Sequence, residues 1–228
     1  MGSADVGQER LALLQLCDSL FPVGSFAHSD GLESAVAARR VVSAADLRDW
    51  LEAIVGVVLA DAEGPAVRSA YLAACSGDFA ALAGLDSEVD AMRPSSAGRE
   101  ATRAMGTRLL KTWQRIRPTE VVGSALEARG RYTFPVAFGL VCAASDVTLV
   151  EAVEAYCYTR LAATVSAAMR LMAIGQHEAH GLLADVLRAV PACVDRITQD
   201  GDPPRCFTPM MDIANMSHQY VHSRLFRS

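Results

Sequence analysis

Lysine is almost absent from this chain: of its 21 cationic residues only Lys111 is a lysine, and the rest are arginine. A phosphate-binding P-loop requires Gly-Lys-Ser/Thr, and Lys111 follows Leu110, so a Walker-type nucleotide site is excluded. Cysteine is present six times but never as a CxxC pair, which removes zinc-ribbon chemistry, and a disulfide framework is not expected in so long and apolar a chain. Long apolar runs are missing too. The longest uncharged stretch, residues 132–145, is too short to span a bilayer. The N-terminus carries Asp5 and Glu9 instead of a cationic start followed by an apolar run, and Val6 breaks the myristoylation pattern. A cytoplasmic protein without a membrane partner is expected. Excess positive charge is also lacking: the net charge of −5 argues against a nucleic-acid binder.

What is present is helical spacing. Half the chain (51%) is apolar, enough for a sizeable core. Ser43 with Asp46 and Thr148 with Glu151 read as capping boxes, each followed by apolar residues at helical intervals. Gly64-Pro65 is expected to end one helix and open the next, with a loosely ordered bridge over 86–98. Further helices are expected over 99–115, 119–129 and 177–190, and the longest starts after Thr148 and runs to Gly175. Alternating strand patterns and repeats are not found. The expectation is an all-α, single-domain bundle of roughly eight to ten helices over 1–228. Residues 1–9 are expected to be flexible, 199–209 to form a loop, and 210–228 to form a C-terminal docking segment.

Four constellations carry candidate chemistry. The segment Phe21-Pro22-Val23-Gly24-Ser25-Phe26-Ala27-His28-Ser29-Asp30-Gly31-Leu32-Glu33 is a shaped loop suited to capping a helix or meeting a partner. Its consecutive His28, Ser29 and Asp30 resemble hydrolase residues, but neighbours in sequence do not easily adopt triad geometry. His177 and His180, and separately His218 and His222, are spaced to share a helix face and could hold a divalent ion. No complete ligand set accompanies either pair, so polar residues on a solvated face are the competing reading. Arg99, Arg103, Arg108, Lys111, Arg115 and Arg117 give one helix a basic face, which is either solvated or docks an acidic partner. Finally, the tail Ser223-Arg224-Leu225-Phe226-Arg227-Ser228 places an apolar pair between guanidinium groups. It suits insertion into a partner, or folding back onto its own core.

The loop and the tail together resemble the UreF family of urease accessory proteins. Residues 13–33 are similar to that family's opening motif. Pro209-Met210-Met211-Asp212-Ile213-Ala214, His218 and the tail 223–228 are similar to its closing motif, and Phe134-Pro135-Val136-Ala137-Phe138-Gly139-Leu140 also fits. Asp30 stands where the family more often has an aromatic or amide residue. Asn215, Ser217 and Gln219 depart from its usual small–Met–Arg–His–Glu run. The resemblance implies an all-α, dimeric adaptor, not an enzyme. It would join a UreD/UreH-type accessory protein to a UreG-type GTPase, so that nickel reaches apo-urease. No cofactor would be firmly bound; nickel would be the delivered ion. Partner-binding residues would be Gly24, Ser25, Phe26, His28, Gly31 and Glu33 of the loop and Ser223, Arg224, Leu225, Phe226, Arg227 and Ser228 of the tail, with Phe226 as the apolar anchor. A direct nickel carrier using His218 and His222 is the alternative.

Overall fold

The computed structural model describes residues 3–227, apart from the side chains of residues 3–6 and Phe26. Within them the chain is all-α, without a strand. Its helices are α1 (Ser3–Cys17), α2 (Leu32–Ala37), α3 (Ala44–Ala53), α4 (Gly64–Ser76), α5 (Phe79–Ala91), α6 (Ser96–Ile116) and α7 (Glu120–Arg129). They continue as α8 (Phe134–Ala143), α9 (Leu149–Leu171), α10 (Gln176–Leu187), α11 (Val190–Gln199) and α12 (Pro209–Ser217). Two 3₁₀ turns, Ser25–Ala27 and His218–Tyr220, and a π-helical stretch, Ile54–Glu63, complete the set. None of these helices is long and apolar enough to cross a membrane.

Both expected capping boxes form. Ser43 Oγ accepts the Asp46 N–H at 3.2 Å and Asp46 Oδ2 accepts the Ser43 N–H at 2.8 Å. Thr148 and Glu151 exchange the same pair of bonds at the start of α9. Gly130, with φ of 76°, closes α7 in the left-handed conformation that glycine adopts without penalty.

Two stretches depart from the sequence expectations. Gly64-Pro65 opens α4 as expected, but the chain does not leave helical geometry before it: α3, the π stretch and α4 follow without a break. The widened π turns accommodate Pro65, whose missing N–H falls in the first turn of α4. The bridge expected over 86–98 is largely helix, because Leu82, Asp86 and Val89 of α5 face the core at helical spacing. Asp86 disguises this pattern. Its carboxylate is buried yet satisfied, accepting the Thr133 N–H at 2.6 Å and pairing with Arg129 at 3.2 Å. Helix α1 starts at Ser3, and Ala12 and Leu16 bury its far end.

Helix α8 is the centre of the molecule. Residues 134–142 are all buried, so it has no amphipathic period to betray it. It packs along α4, with α6 and α9 on its other sides. Phe134, Phe138 and Tyr156 form an aromatic cluster with ring centroids 5.2–6.0 Å apart. Close approach of α4 depends on Gly139, where an added methyl would run into the Val67 carbonyl oxygen.

One ionic cluster interrupts this apolar interior. Glu63, at the end of the π stretch, accepts Arg160 Nε of α9 at 2.8 Å and the Tyr156 hydroxyl at 3.0 Å, and pairs with Arg93 from the α5–α6 link. Asp30 completes it, pairing with Arg160 and lying 4.0 Å from Arg93. Burial alone would raise the Asp30 carboxyl, but the two guanidinium groups outweigh it and hold the group down at about 2.

Two expectations follow. Because its folded value lies below that of the unfolded chain, the stability Asp30 contributes is complete above pH about 4 and is lost as pH falls toward 2. The wild-type advantage over Asp30→Asn in urea unfolding should be about 3 kcal/mol near pH 6 and shrink through that window; a pH-independent difference would refute it. Gly139→Ala should lower stability by about 1–3 kcal/mol through overpacking at the α4–α8 crossing, read as a shift of the urea midpoint.

Candidate functional site

The segment 21–33 runs over the surface beside α9 as a series of tight turns. Arg108 of α6 donates to the Val23 carbonyl at 3.0 Å and fixes its entry. Asp30, at φ 49°, is anchored by the ionic cluster, and Gly31, at φ 86°, turns the chain into α2. A side chain at Gly31 would meet Ala214 and the Asn215 N–H at 3.0–3.3 Å, so α12 lies directly on the loop. The opening and closing segments of the sequence therefore form one structural unit.

Glu33 is the hinge pin of that unit. Its side chain is buried, and its two oxygens collect three donors from the C-terminal segment. The Leu225 N–H reaches Oε1 at 2.6 Å, the Phe226 N–H reaches Oε2 at 3.3 Å, and His218 Nε2 lies 2.7 Å from the same oxygen. A carboxylate only accepts, so His218 donates from Nε2. Charge-assisted bonds of this kind are roughly twice as strong as neutral ones. The Arg227 N–H adds a bond to the Ala27 carbonyl at 2.8 Å.

These contacts sort the sequence-derived candidates. Glu33 is brought together with Leu225 and Phe226, His28 lies near Arg227, and Gly31 packs on α12, whereas Gly24 and Ser25 open the 3₁₀ turn of the loop; Ser228 and the side chain of Phe26 lie outside the described residues. Phe226, expected as the anchor for a partner, is instead 4% exposed in this chain's own core, with the Arg170 guanidinium 4.3 Å from its ring centre. Ser223, Arg224, Leu225 and Arg227 remain on the outside.

His218 and His222 are not brought together as a metal pair. Helix α12 stops at Ser217, His218–Tyr220 tightens to 3₁₀ geometry, and Val221 is extended. This leaves His218 buried on Glu33 and His222 exposed. Among the described residues no group of three or more His, Cys, Asp or Glu side chains is arranged to hold a metal ion.

The hydrolase reading of the loop fares no better. Ser29 Oγ is buried and accepts the Glu33 N–H at 3.4 Å, while the Asp30 carboxylate is taken up by Arg160. Burial lowers the His28 imidazole below its ordinary range against the pull of Asp30, with Arg227, Arg108 and His218 adding to the lowering. The same loop borders a cleft of about 500 Å³ whose walls include His28, Asp30, Phe138 and Thr164. Cys17 on that cleft is pushed up to about 11 by burial, so it stays a thiol near neutral pH and is a poor thiolate ligand.

A feature that the sequence contained but did not announce lies beside the tail. Met210, Ile213, Met216 and Tyr220 are 41–80% exposed along one side of α12 and the turn after it, with Phe207 just before them at 83%. Their spacing at every third or fourth residue was the available signal. Exposed apolar side chains on one helix side make this a candidate contact surface.

Comparison with known proteins agrees with this architecture. The UreF family model matches residues 41–187, the helical body between the two end segments. Urease accessory protein UreF of Rhodopseudomonas palustris (strain HaA2) is 34% identical over 99% of this chain and 96% of its own length. UreF of Arthrobacter sp. (strain FB24) is 33% identical over 99% of the chain and 100% of its own. UreF of Ralstonia pickettii (strain 12J) is 35% identical over 95% and 96%. The two alignments over 99% of the chain take in the loop and nearly all of the tail, which the family model leaves out. With both ends and the helical body accounted for, the chain belongs to the UreF family of urease accessory proteins.

Proposed function

We propose that this protein is an adaptor of urease maturation, acting through protein contacts and not through catalysis. In this reading it works in the cytoplasm as a homodimer. It joins a UreD/UreH-type accessory protein to a UreG-type GTPase, and the assembly delivers nickel to apo-urease. The observation that carries the reading is the joined loop–tail unit. Glu33 fixes the backbone of residues 225 and 226, which presents Arg224, Leu225 and Arg227 outward beside the exposed apolar side of α12. An apolar strip flanked by guanidinium groups fits a partner groove rimmed with carboxylates or carbonyls. The UreD/UreH-type protein is assigned to this surface. Nickel is cargo here, and the engagement of His218 with Glu33 offers nothing to the direct-carrier alternative.

Removal of residues 223–228 should abolish co-purification with the UreD/UreH-type partner. Since that deletion also removes the buried Phe226 ring, Arg224→Glu/Arg227→Glu is the companion variant. It should lose the partner while keeping the wild-type circular dichroism and urea midpoint. Unchanged co-purification of both variants would sink the assignment of the tail. Glu33→Gln should loosen the latch by about 1–3 kcal/mol, speeding hydrogen exchange at the Leu225 and Phe226 amides by roughly tenfold or more. Exchange at the wild-type rate would show that the carboxylate does not hold the tail.

A further inference from the structure

Helix α6 carries more positive charge than its own fold uses. Arg99 donates to the carbonyls of Arg93 and Pro94, Arg103 pairs with Asp90, and Arg117 stacks on Trp113 5.7 Å from the ring centre while reaching Gln15. Arg108 is tied by one guanidinium nitrogen to the Val23 carbonyl. Lys111, Arg115 and, from the link after α7, Arg131 are exposed. Among the described residues none of Arg108, Lys111, Arg115 and Arg131 has a carboxylate within ion-pair distance. These side chains border a shallow open depression of about 470 Å³ in which Glu100 is the one acidic residue.

We propose that this stripe is a docking surface for an acidic helical segment of a partner protein, reached along α6 and adjoining the loop only at Arg108. The form of the stripe selects the occupant. From Arg103 to Arg115 it runs along roughly 18 Å of helix, at a rise of about 1.5 Å per residue. A single phosphate would need cations converging on one point, whereas here they are strung out in a line. The matching ligand is a second helix whose carboxylates recur every three or four residues. Exposed Ala104 lies on the midline between the cations, where its short side chain gives a low floor for the partner to approach. On a chain of net charge −5 this stripe also orients the encounter, since it draws an acidic segment against the net repulsion of the whole molecule.

The test uses the full chain and a fluorescent alanine-based helical peptide of about 20 residues with glutamates along one face at every third or fourth position, long enough to span the stripe. Anisotropy is read at about 50 mM and about 500 mM salt, a range over which screening lengths shrink severalfold. Binding should be seen at low salt and weaken at high salt. Lys111→Glu/Arg115→Glu should reduce affinity by about tenfold or more. Arg40→Glu/Arg188→Glu reverses the same amount of charge at exposed positions elsewhere and should leave most of the affinity intact. Circular dichroism confirms that each variant is folded. No binding, or an equal loss in both variants, overturns the proposal. So does full displacement of the peptide by an equal concentration of inorganic triphosphate, which would make the stripe a phosphate site.

Discussion

Two carboxylates and two guanidinium groups, enclosed together with a tyrosine hydroxyl, decide how this molecule is put together. Glu63, Asp30, Arg93 and Arg160 come from the π stretch, the surface loop, the α5–α6 link and α9, four segments that are remote in sequence. Ions out of water are tolerated only when each finds its counterpart, so the four segments must meet in one arrangement. The π stretch brings Glu63 to that meeting point, and Asp30 takes up a left-handed backbone to reach it. Once Asp30 is fixed, Gly31 and Glu33 follow within three residues, and the site for the tail is set. The apolar body around α8 supplies the bulk of the burial. The ionic cluster determines which surface loop that body carries.

The loop–tail unit has a division of roles that suits the proposed adaptor function. Phe226, His218 and Glu33 face inward and fix the path of the backbone; Arg224, Leu225 and Arg227 face outward with the apolar side of α12. A surface prepared this way gives up less conformational freedom on binding than a loose tail would. The cationic stripe on α6 has a different character. It is charged instead of apolar and linear instead of compact, so it is suited to fast, salt-sensitive encounter more than to tight enclosure.

Much of this was legible from the residues. Capping boxes at Ser43 and Thr148 and the left-handed stop at Gly130 located helix ends, because those signals act within a turn of the chain. The loop 21–33 and the tail were each legible as unusual segments. Their union was not, since it rests on bonds between residues 185–193 positions apart, which no local pattern encodes. Helix α5 was obscured by a buried aspartate on its inner side, and α8 by apolar residues on every side. His218 and His222 have the spacing of a shared helical face. That inference failed because α12 ends at Ser217 and the chain passes through a 3₁₀ turn to an extended Val221 before reaching His222.

The bond from the Phe226 amide to Glu33 joins positions 193 residues apart, nearly the whole length of the chain. Until that bond forms, Glu33 lacks the donors it will finally hold. A buried carboxylate without partners is costly, so α2 and its loop gain their full stability only when residues 218–226 have docked on them. The two segments therefore order each other: neither the loop nor the tail reaches its final form on the helical body alone.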